Sequence, residues 1–312
     1  MLSKARVKDM EKQGYRLVGG HSAVKVCGWT KKAIRCEDTC YKNTFYGINS
    51  HRCVQMTPSF LCSHRCCFCW RDIGFTPSEW KGKVDSPKEI VDGCVKAHVE
   101  YLQGFGGSAR ADYKRFKEAL KPLHFAISLF GEPTFYPKLP ELIDEIHRRE
   151  MTSFLVTNGT NLDMLKKLLK HQPTQLYVTL PAPDEKTYEK VCKPLVKNGW
   201  SKIQESLELL SRFKCRKAIR LTLVKDINMV NAEGYAKILK NVEADFIELK
   251  AYMWVGYSIE RLSIENMPRH PEVRKFAEEV AGLAGLKIID EKENSRVVLL
   301  MKKDRKDRVM RF

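Results

Sequence analysis

Residues 59–75 read SFLCSHRCCFCWRDIGF, with four cysteines in eight positions and two of them, Cys66 and Cys67, adjacent. The stretch begins inside RCVQMTPSFLC (52–62), which reads as a strand running into a cysteine loop. Eight of the chain's eleven cysteines (27, 36, 40, 53, 62, 66, 67 and 69) fall within 43 residues. At 312 residues the chain buries a full core without covalent staples. The amino-terminal segment has no apolar signal core, and no run approaches 18 apolar residues, so a cytoplasmic location is expected. In a reducing compartment, crowded thiols read as metal ligands or redox centres rather than disulfides. Cys94, Cys192 and Cys215 stand apart and read as small core hydrophobes.

Downstream of the loop, strand and helix patterns alternate. FAISLFG (125–131), SFLVTNG (153–159), QLYVTLPA (175–182), AIRLTLVKD (218–226) and FIELKAYMWVG (246–256) are apolar runs, each followed by a helical pattern. The helix paired with the first strand opens at SPKEIVDGCVKAHVEYL (86–102). There Ser86 is a candidate N-cap, Pro87 the first helical residue and Glu89 the third of a capping box. Six β-α units predict a parallel α/β sheet with helices outside it, short of the eight that close a barrel. The expectation is a partial (βα)6 barrel over 58–285, with its site at the carboxyl ends of the strands. It is preceded by an amino-terminal extension, 1–57, and followed by a terminal hairpin and basic tail, 286–312, all in one compact domain.

Three spacings compete within the loop. Cys62, Cys66 and Cys69 form C-x3-C-x2-C, Cys67 with Cys69 forms C-x-C, and Cys62 with Cys67 forms C-x4-C. Zinc takes four ligands, usually from two spaced pairs, and a second pair at that distance is missing. Three thiolates on a 4Fe–4S cluster leave one iron open to a small molecule. C-x3-C-x2-C after a first strand, with Phe68 before the last cysteine, resembles the signature of the radical S-adenosylmethionine superfamily. The resemblance implies that Cys62, Cys66 and Cys69 hold the cluster, that Cys67 is spare, and that Phe68 packs near the adenine. In that superfamily the open iron binds S-adenosylmethionine, and one electron cleaves it to a 5′-deoxyadenosyl radical. GEPT (Gly131, Glu132, Pro133, Thr134) resembles the segment that receives the cofactor's amino group. Thr157 and Asn158 of TNG are implied cofactor contacts, and Thr179, ending the fourth strand, is a candidate for the ribose.

Cys27, Cys40 and Cys53 stand at intervals of 13 and 13 residues, and Cys36 breaks the spacing. C-x12-C-x12-C ahead of the radical loop resembles the tRNA 4-demethylwyosine synthases, in a match running from Cys27 to the last helix. The resemblance implies a second 4Fe–4S cluster on Cys27, Cys40 and Cys53, and a reaction that joins pyruvate to 1-methylguanosine beside the anticodon of phenylalanine tRNA. A carbon radical suits this reaction, because no side-chain base removes a proton from the unactivated methyl group. Lys42 matches the family's pyruvate-binding lysine. It reads first as a cationic anchor for the pyruvate carboxylate, with imine formation as the alternative, since burial and a neighbouring anionic cluster shift its pKa in opposite directions. The chain leaves no room for an amino-terminal flavodoxin-like domain, which implies the shorter archaeal form, an external flavodoxin- or ferredoxin-like electron donor and a monomer.

The formal charge is +17, from 55 Lys and Arg against 38 Asp and Glu, and it favours a polyanionic partner. WTKKAIR (29–35), ARADYKRFKEALK (109–121) and KKDRKDRVMR (302–311) are the candidate tRNA-facing segments, with Trp29 and Tyr113 available for stacking. Other readings are a radical methyltransferase, methylthiotransferase or peptide maturase, and a zinc-containing nucleic-acid-binding protein.

Overall fold

The structure is a computed structural model that describes residues 3–74, 76–77, 79–80 and 82–312. Its ten strands are β1 (Arg16–Val18), β2 (Ser22–Val24), β3 (Cys53–Thr57), β4 (His124–Ile127), β5 (Thr152–Thr157), β6 (Gln175–Thr179), β7 (Arg216–Leu223), β8 (Phe246–Ala251), β9 (Lys287–Lys292) and β10 (Val297–Met301). They form one sheet in the order β1-β2-β3-β4-β5-β6-β7-β8-β10-β9. β3 to β8 are parallel and follow chain order, the six units expected. The terminal hairpin is also present, with β10 antiparallel to β8. The hairpin β1–β2 at the other edge, whose strands are only three residues each, carries no period long enough to read.

The helices are α1 (Lys4–Lys12), α2 (Gly28–Ile34), α3 (Tyr41–Tyr46), α4 (Pro87–Leu102), α5 (Tyr113–Ala119), α6 (Leu139–Arg148), α7 (Leu162–Leu168), α8 (Glu185–Cys192), α9 (Gly199–Leu209), α10 (Ala232–Lys240) and α11 (His270–Ala284). α4 begins with the Ser86–Glu89 capping box and Pro87.

Alternation along the strands sends side chains to two separate cores. Leu155, Leu176, Val178, Ile219, Leu221, Ile247, Leu249, Val298 and Leu300 belong to the larger core, beneath the outer helices. Phe154, Tyr177, Ala218, Phe246, Val297, Leu299 and Met301 point to the other face and pack on Tyr41, Phe45, Tyr46 and Ile48. The barrel lumen is therefore filled by the chain's own α3 segment. With both faces buried, the strands read as near-continuous apolar runs.

One sequence boundary shifts. β3 begins at Cys53, so the first barrel strand lies inside the segment read as extension. The basic tail folds back under the lumen. Met310 N–H donates to Tyr46 O at 3.0 Å, Arg308 Nη1 to Phe45 O at 3.0 Å, and Arg216, at the start of β7, donates to the carbonyls of Asp307 and Arg308. Arg305 pairs with Asp245 and Asp307, and Arg308 with Asp290 and Asp304. These arginines are held at the amino ends of the strands, so the tail is a strap and not a free arm.

Candidate active site

The cysteine loop crosses the carboxyl ends of the strands and is fixed to its surroundings by backbone bonds. Arg65 N–H and Cys67 N–H donate to the carbonyls of Cys192 and Val191 at the end of α8, at 2.8 and 2.9 Å. Arg261 donates to the carbonyls of Cys67 and Cys69. A cavity of about 770 Å³ opens below, lined by Cys62, Cys66, Cys69 and Phe68. The Cys67 thiol does not line it; it packs into the outer core, where burial pushes its pKa up to about 11. Burial also raises the Cys62 thiol. The Cys66 thiol is raised first by its contact with Cys192 and then by burial. Cys192 is a buried core thiol, as its isolation in the sequence suggests, and its sulfur also lies within 4.8 Å of the ligand atoms of His64 and Cys66.

Glu132 ties three loops together. It is 2% exposed. Its Oε1 accepts from Thr134 N–H, Thr134 Oγ1 and Thr157 Oγ1, and its Oε2 accepts from Asn158 N–H at 2.7 Å. Its own N–H donates to Leu61 O in the cysteine loop. Gly131 has φ +61°, and an added Cβ would lie 2.5 Å from the carbonyl oxygens of Ser59 and Leu61. This close approach of two backbones requires glycine. Burial raises the Glu132 carboxyl, against the four hydrogen bonds that lower it. Asn158 Nδ2 donates to Ser63 Oγ at 2.9 Å. Phe68, Gly131, Glu132, Thr157, Asn158 and Thr179 line the cavity, whereas Pro133 and Thr134 are packed behind it.

Cys27 lines the same cavity, and its thiol caps α2, accepting from Thr30 N–H. Cys40 is the N-cap of α3, and Cys53 is the first residue of β3. Burial is the first cause raising both thiols, Cys53 to about 12, and Cys27 raises each further, so the three stand within electrostatic reach of one another. Among the described residues neither triad brings its sulfurs within 4.8 Å of one another.

Lys42 projects from α3 into the lumen. Its Nζ stands 4.8 Å from the centroid of the Tyr177 ring and 5.3 Å from that of Phe154. Burial first, then the Arg220 cation, lower its pKa, against the opposing pull of Cys40, Cys53 and Glu248. Arg220 Nε donates to Glu248 Oε2 at 2.9 Å and its Nη2 to Tyr41 OH at 2.5 Å. Tyr46 OH donates to Glu248 Oε1 at 2.7 Å. Arg220 and Lys250 line the cavity. The sequence reading passed over this network, although a signal was present. Arg220, within AIRLTL, and Glu248 and Lys250, within FIELKA, are charges set among buried apolar strand residues, a position that calls for a partner.

Residues 56–239 match the radical SAM superfamily, and residues 241–302 match wyosine base formation. The chain is 48% identical over 298 residues to the S-adenosyl-L-methionine-dependent tRNA 4-demethylwyosine synthase of Pyrococcus abyssi, covering 94% of this chain and 87% of that one. It is 41% identical to the Methanocaldococcus jannaschii protein of the same name, over 98% of both chains. A solved structure of TYW1 with a lysine-pyruvate adduct bound superposes with a TM-score of 0.90 at 37% identity, over 99% of this chain and 100% of the other.

Proposed function

The chain belongs to the S-adenosyl-L-methionine-dependent tRNA 4-demethylwyosine synthases, and we propose that it joins pyruvate to 1-methylguanosine beside the anticodon of phenylalanine tRNA, forming the tricyclic 4-demethylwyosine. The observation that carries this reading is that Cys27, of one triad, and Cys62, Cys66 and Cys69, the other triad, line a single cavity. Cys62, Cys66 and Cys69 are the residues that would hold the cluster carrying S-adenosylmethionine, and Cys27, Cys40 and Cys53 those that would hold a second. Cluster and cofactor together supply a primary carbon radical able to take hydrogen from the unactivated methyl group.

This chain's own residues set the geometry. Glu132 locks GEPT and TNG against the cysteine loop, so that Phe68, Gly131, Asn158 and Thr179 present a fixed surface to the cofactor. Lys42 takes the pyruvate carbonyl: its nitrogen bonds to C2 and water leaves, giving an imine. The related structure with a lysine-pyruvate adduct supports the imine over the anchor that the sequence first suggested.

The tRNA approaches from the side of α2 and α5. Asp112 N–H donates to Ile34 O and Arg115 Nη1 to Ala33 O, joining the two helices into one basic face. Trp29 lines the cavity at the edge of this face, and Tyr113 is exposed on it. No helix among the described residues is long and apolar enough to cross a membrane. The reading is completed by a monomer acting in the cytoplasm with an external flavodoxin- or ferredoxin-like reductant.

The test is anaerobic incubation of the reconstituted protein with S-adenosylmethionine, pyruvate, dithionite and 1-methylguanosine-bearing tRNA, followed by nucleoside mass analysis. The tricyclic base should form only when pyruvate is present. Cys40→Ala should lose roughly half of the iron, still release 5′-deoxyadenosine, and make no tricyclic base. Release of 5′-deoxyadenosine by the unaltered protein with no change in nucleoside mass would sink the assignment.

A further inference from the structure

Reductive cleavage of S-adenosylmethionine consumes one electron, and no side chain supplies it, so the electron must cross the protein wall from outside. That wall is thin at the end of α8. Cys66 and Cys192 line the cavity, while Lys193, the residue after Cys192, is exposed. Burial raises the Cys67 pKa, and the nearby Lys193 cation pulls it back down. Leu195 N–H donates to Ser63 O at 2.8 Å, beside Cys62. The segment KPLVKN (193–198) therefore lies over the outer side of the cysteine loop, one layer of residues from the cavity.

This segment is a fixed protrusion. Its two ends, Lys193 and Asn198, both take left-handed backbone, with φ +42° and +53°. Glycine or asparagine suits such a position, whereas lysine is strained there and persists only where its surroundings hold it. Leu195, between them, is 52% exposed. Around it Lys190, Lys193 and Lys197 are exposed and form no ion pair among the described residues. From 189 to 202 the chain carries four lysines against one carboxylate, Glu189. A single apolar contact ringed by unpaired cations suits a small, transient interface with an acidic protein, in which charge steers the encounter and little area is buried.

We propose that this protrusion is the docking surface for the electron donor, an acidic one-electron carrier protein whose electron passes through the layer of Cys192 and Cys67. This rests on the assignment of Cys62, Cys66 and Cys69 above. For each S-adenosylmethionine cleaved, the carrier is oxidised by one electron. The sulfonium accepts that electron, and its bond to the ribose carbon breaks to give methionine and the 5′-deoxyadenosyl radical. The surface shares no residue with the α2–α5 face assigned to tRNA.

The test compares the full-length reconstituted protein with a double variant, Lys193→Glu with Lys197→Glu, and with Leu195→Ser. Release of 5′-deoxyadenosine is measured at limiting pre-reduced flavodoxin, at limiting pre-reduced ferredoxin, and with photoreduced deazaflavin, a small neutral reductant. With the faster carrier the double variant should be about tenfold slower at low salt, and the gap should close as salt rises. Leu195→Ser should slow the same reaction at every salt concentration. Deazaflavin-driven cleavage, iron content and tRNA affinity should be unchanged in both. Equal carrier-driven rates overturn the docking surface, as does failure of both carriers to reduce the unaltered protein. Weaker tRNA binding with carrier-driven cleavage intact overturns it too, and gives the protrusion to tRNA. Equal slowing with deazaflavin overturns it by showing that the cysteine loop itself was disturbed. If deazaflavin yields no 5′-deoxyadenosine even from the unaltered protein, the cluster assignment fails and takes the docking surface with it.

Discussion

Adjacent cysteines take opposite roles at the tip of the loop, and the reason is which way each side chain turns. Cys66 lines the cavity, while Cys67 is 8% exposed among outer-core residues. Cys67→Ala should keep iron and S-adenosylmethionine cleavage and cost about 1 kcal/mol through lost packing. Cys62→Ala, Cys66→Ala and Cys69→Ala should each abolish cleavage, measured as 5′-deoxyadenosine released. His124 makes a second residue-scale prediction. It is fully buried at the start of β4, accepts Asn49 N–H at Nε2 and contacts Thr152 Oγ1 through Nδ1. Burial pushes its pKa down to about 3, and that of the fully buried His98 to about 4. The unfolded chain binds these protons from pH ~6.5 downward while the folded chain refuses them. Their contribution is therefore complete above pH ~6.5 and falls as the pH drops, approaching about 1.4 kcal/mol per pH unit for each histidine. Thermal melts between pH 7.5 and 5.5 should show this fall, and His124→Gln should flatten it.

Among the elements, α3 depends on a contact it cannot make alone. It has six residues, no side-chain cap bond, and ends at Gly47 with φ +79°. A Cβ on Gly47 would stand 2.1 Å from Met310 O. Gly47→Ala should cost roughly 1–2 kcal/mol from the left-handed backbone alone and more from the displaced strap. A lower melting temperature with faster proteolysis after Met301 would show this, whereas an unchanged melt would mean that the strap does not hold the plug. The parallel strands were legible because glycine and proline bound apolar runs such as FAISLFG, and α4 because its capping box is local. α3 was not legible, since TYR-rich YKNTFY shows no helical period and its stability comes from Phe154, Phe246 and Leu299, far away in the chain. Lys42 was legible only through the family resemblance, and its neighbours Tyr177, Arg220 and Lys250 not at all, because nothing local links strands β6, β7 and β8 to α3.

At the scale of the whole molecule, charge divides between two ends. Composition counted the tail's cations with the rest and could not tell paired arginines from free ones. The structure pairs Arg305 and Arg308 at the amino ends of the strands, while α2, on which α5 packs, brings Gly28 and Trp29 to the cavity wall. The affinity for tRNA should fall steeply with salt, the slope in log–log form rising by about 0.7–0.9 for each phosphate neutralised. Replacing the exposed Lys32, Lys114 and Lys117 by Ala should lower that slope by roughly 2–3. Replacing Lys302, Lys303 and Lys306 should leave it unchanged. Equal effects from the two sets, read from filter binding across a salt series, would refute the division.

The plugged lumen also dictates an order of events in time. Tyr41 reaches Glu248, Lys292 reaches Asp38 and Arg308 reaches Phe45 O across 207, 254 and 263 residues of chain. Contacts so distant must overcome the entropy of closing very long loops and form slowly, whereas helices and neighbouring β-α units assemble from local contacts. During refolding from denaturant, far-ultraviolet circular dichroism should recover well before Lys42 becomes able to trap pyruvate. Simultaneous recovery would mean that the barrel assembles around the plug instead of admitting it last.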